Sequence, residues 1–166
     1  MTDLVILTGA GISAESGLAT FRGEGGLWED MDLRALCSAE GLAAQPRKVH
    51  AFYDARRAQL REVASNPAHT ALAQLEERWT SEARGAFTLA TMNGDDLHER
   101  AGSREVLHLH GTLFAALCAE CGNRVGGEGE LPVREDCPAC DAPALRPDVV
   151  LFGAGPIGLL FVAALA

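Results

Sequence analysis

The sequence predicts an α/β fold in which strands and helices alternate around a parallel sheet that carries one small insert. Short apolar runs typical of buried strands occupy residues 4–7, 87–91, 106–109 and 149–152. Stretches with helical spacing separate the first two of these runs. A segment rich in glycine, proline and cysteine, residues 118–140, has little periodicity and interrupts the alternation. This order of segments is typical of a parallel sheet with a short insert.

The composition is that of a single globular protein and argues against two classes of partner. Of the 166 residues, 48% are hydrophobic and 22% are charged, which suffices for a buried core. The net charge of −9 argues against nucleic acid, because contacts with phosphates need clustered Lys and Arg. The apolar stretch 157–166 has ten residues, whereas a helix needs about 20 to cross a membrane.

The amino-terminal segment predicts a cytoplasmic protein. Residues 1–12 lack a basic region before their apolar run, which Asp3 interrupts, so the segment is unlike a signal peptide. In the cytoplasm the five cysteines are expected to be reduced. Paired CxxC units then indicate metal or redox chemistry rather than structural disulfides.

A glycine-rich turn directly follows the first predicted strand. Gly9-Ala10-Gly11-Ile12-Ser13-Ala14 matches the GxGxxG/A pattern, in which glycines let backbone N–H groups approach a pyrophosphate. A short helix is possible between this turn and Gly17. A dehydrogenase would also carry an acidic residue about 20 positions on, at the end of a strand. Glu29 and Asp30 lie instead in a predicted loop, so the pattern favours nucleotide binding but not hydride transfer.

Two helices are predicted between the first and second strands. The loop at residues 24–32, which has paired glycines and a tryptophan, precedes them. Pro46 suits the first turn of a helix that continues to about Val63. Leu72 and Leu75 recur at helical spacing after an Asn-Pro pair, which predicts a second helix over residues 68–78.

Four of the five cysteines form two pairs with the spacing of a zinc ribbon. Cys118-x2-Cys121 is followed after fifteen residues by Cys137-x2-Cys140. Each pair places two thiolates on one tight turn, and two such turns complete a tetrahedron around Zn²⁺. Four thiolates leave no open position, so the metal should be structural rather than catalytic. Two redox pairs are the alternative, and Cys37 is expected to be a small buried side chain.

Motifs along the chain resemble those of the sirtuin family, in the same order. The NAD-binding signature resembles residues 9–17 with Thr20-Phe21-Arg22-Gly23 and Gly26-Leu27-Trp28. Residues 91–102 resemble the second NAD motif of the family, and residues 108–111 resemble its catalytic His-Gly. Residues 146–153 resemble the strand that lines the acyl-lysine channel. The zinc cysteines lie between the last two. The chain resembles the class III bacterial desuccinylase/deacetylase type.

The resemblance implies an NAD-dependent protein-lysine deacylase. In such enzymes the acyl group of a lysine side chain moves to ADP-ribose and nicotinamide is released, with a histidine as general base on a ribose hydroxyl. His110 matches that histidine, and an imidazole suits the step because its pKa lies close to working pH. The residues that match the NAD contacts of the family are Gly9, Ala10, Gly11, Ile12, Ser13, Phe21, Arg22, Trp28, Met92, Asn93, Gly94 and Asp95.

The residues alone leave two of these roles open. His108 and His110 fall on the same side of a predicted alternating strand, and either could be a hydrogen-bonded structural histidine. Asn93-Gly94 resembles a local turn as well as part of a nicotinamide site.

One arginine in the first long helix indicates the acyl group. Residues at spacings of three and four along this helix form a predicted apolar stripe, which includes Arg56. Its members are Val49, Phe52, Tyr53, Arg56, Leu60 and Val63. A buried charge is costly unless it is paired, and a carboxylate is the natural partner of a guanidinium. Tyr53-x-x-Arg56 resembles the pair in sirtuins that prefer malonyl- and succinyl-lysine. An internal Asp or solvent is the alternative partner of Arg56, and Arg57 is expected to be a surface charge.

The chain also departs from the family pattern. Met92 stands where Gln is usual, Gly94 replaces a usual Ile, and Ala154 stands where Glu commonly follows Phe-Gly. Residues 156–166 do not match, and the later strands that bind the adenine half of NAD are absent. The alternative function is therefore a catalytically defective sirtuin fragment that acts only as a zinc-stabilised binding module.

The chain ends soon after its last predicted strand, where the second half of a doubly wound sheet is barely begun. We therefore expect a Rossmann-like parallel sheet with an incomplete second half and a zinc-ribbon insert, in a chain truncated or altered at its carboxyl end. The predicted NAD-binding domain comprises residues 1–113 and 145–166, with a helical insert at about 30–80. Residues 114–144 form the predicted zinc-binding module.

Overall fold

The structure is a computed structural model that describes residues 2–20, 31–127, 130–131, 133 and 135–153. Sequence predictions that fall on Phe21, Arg22, Trp28 and Ala154 lie outside the described residues.

The described part of the chain contains two three-stranded sheets, one 3₁₀ helix and five α-helices. In chain order the elements are β1 (Leu4–Thr8), the 3₁₀ helix (Ala10–Ser16), α1 (Met31–Leu36), α2 (Ala39–Ala44), α3 (Pro46–Glu62), α4 (Pro67–Ser81), β2 (Phe87–Thr91), α5 (Leu97–Arg100), β3 (Val106–His108), β4 (Gly111–Cys118), β5 (Arg124–Gly126) and β6 (Leu145–Val149). None of the described helices has the length and apolar character needed to span a bilayer.

The first sheet is parallel, as the sequence predicts, with the strand order β1-β2-β3. Thr8 pairs with Thr91, and Thr91 pairs with His108. The carboxyl ends of all three strands therefore meet at one edge of the sheet. The glycine-rich turn after β1, the loop after β2 and the residues after β3 are brought together at that edge.

The first strand is less buried than its apolar run suggests. Leu89 and Ala90 of the central strand β2 are 0% and 4% exposed, but Val5 and Leu7 of β1 are 57% and 61% exposed. The described part of the chain leaves that face of β1 uncovered. Among the described residues, β1 therefore has the alternating exposure of an edge strand rather than burial on both faces.

The second sheet is antiparallel, with the strand order β5-β4-β6. The predicted last strand of the parallel sheet, residues 149–152, is wrong in place and in partner, because β6 covers Leu145–Val149 and pairs antiparallel with β4. Leu151 is buried in a cluster with Cys37, Val49 and Tyr53. The apolar run at 149–152 is thus explained largely by packing against the helices rather than by a ladder in the parallel sheet.

The two long helices begin at prolines, because Pro lacks the N–H that a first helical turn leaves unpaired. This start was predicted for α3, whereas α4 covers Pro67–Ser81 instead of the predicted residues 68–78. The predicted loop at 24–32 is wrong at its last two residues, which begin α1. Asn66 caps α4 by accepting a hydrogen bond from the Ala68 N–H at 2.9 Å. Its amide also donates to the Ile12 carbonyl at 2.7 Å and to Ser16 Oγ at 3.0 Å. The start of α4 therefore holds the 3₁₀ helix in place.

Candidate active site and metal centre

A buried network of side chains joins the glycine-rich turn to the loop after β2. The Asn93 amide donates to the Gly9 carbonyl at 3.2 Å and to Ser13 Oγ at 3.2 Å. Ser13 Oγ in turn donates to an Asp95 carboxylate oxygen at 2.9 Å. Ser13, Asn93 and Asp95 are 2%, 4% and 6% exposed. Such a satisfied buried network fixes the relative position of the two loops.

The turn itself leaves room for a ligand beside Gly11. A Cβ atom built on Gly9 would lie 3.0 Å from the Met92 Cε, so the turn and the loop are already in close contact there. A Cβ built on Gly11 would meet no described atom within 4 Å. The backbone at Gly11 is therefore open to close approach, which fits the pyrophosphate role of this pattern.

His110 lies at the same edge of the sheet and contacts the same loop. Its Nδ1 lies 3.2 Å from the Met92 carbonyl oxygen, which can only accept, so Nδ1 carries the proton. The Nε2 atom of the neutral ring is then an acceptor, and the side chain is exposed. His110 is thus arranged to take up a proton at Nε2 from a molecule bound at this edge.

The structure distinguishes His110 from His108, which the sequence could not do. His108 Nδ1 lies 2.8 Å from the Asn93 carbonyl oxygen, and His108 Nε2 lies 2.7 Å from Glu99 Oε1. Both ring nitrogens of His108 are therefore occupied by acceptors, and neither is available to a ligand. Of these two histidines, His110 alone has a ring nitrogen without a hydrogen-bond partner among the described residues.

The four cysteines of the two CxxC pairs form one cluster, so the sequence prediction of a metal site is confirmed. All four Sγ atoms lie within 4.8 Å of one another. The Sγ atoms of Cys118 and Cys140 are 3.7 Å apart, as are those of Cys121 and Cys137. A tetrahedron with Zn–S distances of about 2.3 Å has S···S edges of about 3.8 Å. The donor set and its dimensions therefore fit Zn²⁺ in a closed structural site.

The electrostatics of the cluster also suit a cation. The hydrogen bond from the Cys121 N–H lowers the pKa of Cys118 to about 7. The Ala142 N–H lowers the pKa of Cys140, but the neighbouring Cys121 thiol, burial and the other two thiols raise it further, to about 12. One thiolate thus opposes ionisation of the next. A bound divalent cation removes that opposition and lets all four ligands ionise.

Tyr53 and Arg56 lie one turn apart on α3, and both interact with Cys37. Tyr53 is 8% exposed, and burial raises the pKa of its phenol, which forms a hydrogen bond with the Cys37 thiol. Burial lowers the pKa of the half-buried Arg56, while Asp95 and Cys37 act in the opposite direction. Within the described residues Arg56 donates to Gln59 at 2.8 Å and forms no ion pair.

Arg57 was expected at the surface, and that expectation is wrong. Its side chain is 3% exposed and forms an ion pair with Asp54, one turn earlier on α3. It also donates to the Leu113 carbonyl at 2.9 Å. The spacing Asp54-x-x-Arg57 on one helix was the sequence signal that could have indicated this pair.

Arg57 and Asp54 connect the region around the cysteine cluster to the loop after β2. Asp54 accepts a hydrogen bond from the Leu131 N–H at 3.1 Å, and Leu131 packs in the same cluster as Cys118 and Cys137. The Leu113 N–H donates to the Gly94 carbonyl at 2.8 Å. Leu113 therefore lies between Arg57 and the loop that carries Asn93 and Asp95.

Most of the residues selected from the sequence therefore gather at two places. The described candidates for nucleotide contact lie at the carboxyl edge of the parallel sheet with His110, and the cysteines form the cluster at the far end of β4. Phe21, Arg22 and Trp28 fall outside the described residues. The sequence did not indicate Glu99, whose role as the partner of His108 depends on a contact between α5 and β3.

Known proteins with similar sequences are longer than this chain. An NAD-dependent protein deacylase of Bdellovibrio bacteriovorus is 47% identical over 157 residues, which cover 93% of this chain and 65% of that protein. An NAD-dependent protein deacylase of Salmonella typhimurium is 45% identical over 159 residues, covering 94% and 57%. The chain thus spans about three fifths of the length of these relatives.

Similar solved structures and a matching family profile both come from the Sir2 family. A Sir2 homologue mutant bound to ADP-ribose superposes with a TM-score of 0.80 at 41% identity and covers 97% of this chain and 63% of that one. A Sir2 homologue bound to NAD superposes with a TM-score of 0.77 at 40% identity, covering 97% and 61%. The profile of the Sir2 family matches residues 9–162. The chain therefore belongs to the Sir2 family.

Proposed function

We propose that the protein is an NAD-dependent protein-lysine deacylase, which transfers the acyl group of a lysine side chain to ADP-ribose and releases nicotinamide. The observation that carries this proposal is the convergence of three loops at one sheet edge. The Asn93 side chain is hydrogen-bonded to the glycine-rich turn, and Ser13 of that turn is bonded to Asp95. His110 contacts the carbonyl of the neighbouring Met92 through Nδ1 and leaves Nε2 free among the described residues. The relatives named NAD-dependent protein deacylases support the same reaction.

The residues at this edge would divide the work of binding and proton transfer. Gly9, Gly11 and Ser13 would hold the dinucleotide backbone, and Asn93 and Asp95 would hold its nicotinamide end. Bound NAD supplies an electrophilic ribose carbon with nicotinamide as the leaving group. His110 would take a ribose hydroxyl proton at Nε2 while its Nδ1–H stays on the Met92 carbonyl. That carbonyl would then stabilise the resulting imidazolium.

Nicotinamide release tests this proposal directly. Zinc-loaded protein should release nicotinamide from NAD only when an acyl-lysine peptide is present, and His110→Ala should lower the acyl-transfer rate about 10²–10⁴-fold, the usual contribution of a general base. The variant should keep the NAD affinity and the melting temperature of the parent, because His110 is exposed. Peptide-independent release, or full acyl transfer by His110→Ala, would contradict the assignment. Peptide binding without any release would instead support the zinc-stabilised binding module.

We further propose that the acyl group is a dicarboxylic one, malonyl or succinyl. Arg56 supports this proposal because it is half-buried on the face of α3 that carries Tyr53, yet within the described residues it pairs with no carboxylate. A half-buried guanidinium that forms no ion pair favours a ligand that supplies a carboxylate. The distal carboxylate of a succinyl-lysine matches that requirement, with the phenol of Tyr53 as a second hydrogen-bond donor.

Arg56→Met should change acyl preference rather than overall activity. We expect desuccinylation to fall about 10- to 100-fold, the loss of one or two charge-assisted hydrogen bonds, while deacetylation changes little. The comparison is the ratio of kcat/KM for succinyl- and acetyl-lysine peptides of one sequence. Arg47→Met, at an exposed position on the same helix, is the matched control and should leave the ratio unchanged. Equal losses on both peptides would refute the role of Arg56.

A further inference from the structure

His108 lies between two hydrogen-bond acceptors. Its Nδ1 is 2.8 Å from the Asn93 carbonyl oxygen and its Nε2 is 2.7 Å from Glu99 Oε1. Beside an ionised Glu99, a neutral imidazole has one N–H and could satisfy only one of these contacts. Both contacts are satisfied together when His108 is an imidazolium and Glu99 a carboxylate.

The surroundings favour that charged pair. Burial lowers the pKa of His108, but the hydrogen bonds to Glu99 and the Asn93 carbonyl, with the charges of Glu99 and Asp95, raise it above its ordinary 6.5. Burial raises the pKa of Glu99, but the bond to His108, together with the charges of His108 and His98, brings it below its ordinary 4.5. Asp95 follows β2, and Glu99 and His98 belong to α5, so the charged groups facing His108 come from both neighbouring segments.

The Asn93 carbonyl belongs to the residue that joins the two loops of the site, so a hydrogen bond to it can position both loops. The Asn93 side chain ties the loop to the Gly9 carbonyl and Ser13 Oγ, and the Asn93 N–H donates to Thr91 Oγ1 at 3.1 Å. The carbonyl is the remaining polar group of this residue, and within the described chain its partner is His108. When the ring becomes neutral, the Glu99 carboxylate retains the Nε2–H because it is a stronger acceptor than the Asn93 carbonyl. The Nδ1–H contact is then lost, which would free the peptide plane beside the amide that joins the two loops.

We propose that His108, as an imidazolium paired with Glu99, is a positioning residue that holds the Asn93 loop for NAD, so that the site loses NAD affinity as His108 loses its proton. The inference rests on the proposed NAD-dependent function. A group whose pKa is raised on folding contributes fully below its ordinary value, and the contribution disappears as pH rises through the folded value. The clamp is therefore present at 6.5 and below, down to the range where Glu99 is protonated, and is lost on the alkaline side.

Nuclear magnetic resonance of the histidine rings and the Asn93 side-chain amide tests the clamp without any ligand. In the parent protein the Asn93 amide resonances should shift with the same midpoint as the His108 ring. Glu99→Gln should lower both midpoints together by about one pH unit or more, the effect of removing a charge at hydrogen-bond distance. Glu105→Gln, which changes an exposed carboxylate just before β3, is the matched control and should leave both midpoints in place. Independent titration of Asn93 and His108 would overturn the inference.

Calorimetric titration with NAD at several pH values tests the link to binding. The dissociation constant of the parent should rise about 5- to 10-fold across the His108 transition, the effect of one lost hydrogen bond, and Glu99→Gln should move this rise to lower pH. His108→Lys keeps a cation beside Glu99 between about pH 7 and 9 and should remove the pH dependence there. A dissociation constant that ignores the His108 transition would overturn the inference. Absence of NAD binding at every pH, with Asn93 still following His108, would instead contradict the proposed function and leave the clamp standing.

Discussion

Cys137→Ser is expected to unfold the antiparallel sheet formed by β4, β5 and β6. Cys137 is 0% exposed and belongs to both the metal cluster and the small hydrophobic cluster of Ala116, Cys118, Leu131 and Leu145. That cluster has few large apolar side chains, so metal binding must supply most of the stability of this region. Structural zinc contributes about 10–16 kcal/mol of apparent binding free energy in small zinc domains.

The effect should extend to the proposed active site. Strand β4 joins the cysteine cluster to Leu113, whose N–H is bonded to the Gly94 carbonyl. We expect Cys137→Ser, or a strong chelator, to abolish the antiparallel signals in circular dichroism and to lower the melting temperature. Cys37→Ser changes a buried thiol outside the cluster and should retain one zinc per chain. Unchanged melting of Cys137→Ser, with zinc still bound, would show that the metal is not needed for this fold.

Arg57→Met should lower the free energy of unfolding by about 3–5 kcal/mol, the cost of breaking a buried ion pair by removing one partner. The substitution leaves Asp54, whose side chain is 21% exposed, without its cation, and it removes the hydrogen bond to the Leu113 carbonyl. Because Asp54 keeps its bond from the Leu131 N–H and some solvent contact, we expect a value near the lower end of this range.

Arg56→Met is the matched control for this stability change. This variant introduces a Met side chain one position earlier on α3, where Arg56 is half-buried and bonded to Gln59. It should lower the free energy of unfolding by less than about 1 kcal/mol. Urea unfolding of the zinc-loaded proteins measures both values. We therefore expect Arg57→Met to affect stability and Arg56→Met to affect acyl preference. Equal losses of stability in the two variants would contradict the structure of α3.

Features that depend on local chemistry could be predicted from the sequence. The first three predicted strands, the helix that begins at Pro46, a second helix close to its predicted range, and the cluster of four cysteines are confirmed. Each has a signal within a few residues: an apolar run, a proline in a first turn, or a fixed CxxC spacing. The meeting of the glycine-rich turn with Asn93 also follows, because the carboxyl ends of parallel strands share one edge.

Features that depend on tertiary partners could not be predicted. Arg56 and Arg57 differ by about 100° around the helix. The burial of Arg57 depends on the Leu113 carbonyl of β4 as well as on Asp54, the partner that its spacing could have indicated. The apolar run at 149–152 has the composition of a strand, but it packs largely against α3 and the Cys37 cluster. His108 and His110 have the same spacing pattern, and only the contact with Glu99 on α5 separates their roles.

A nuclear magnetic resonance titration of the zinc-loaded chain with NAD tests the central claim, that the three loops form one dinucleotide site. Saturable shifts should appear together at Gly11, Asn93 and His110. ADP-ribose, which lacks nicotinamide, should reproduce the shifts at Gly11 but reduce those at Asn93. Shifts confined to other parts of the chain, or none at saturating NAD, would show that this edge of the sheet is not a nucleotide site.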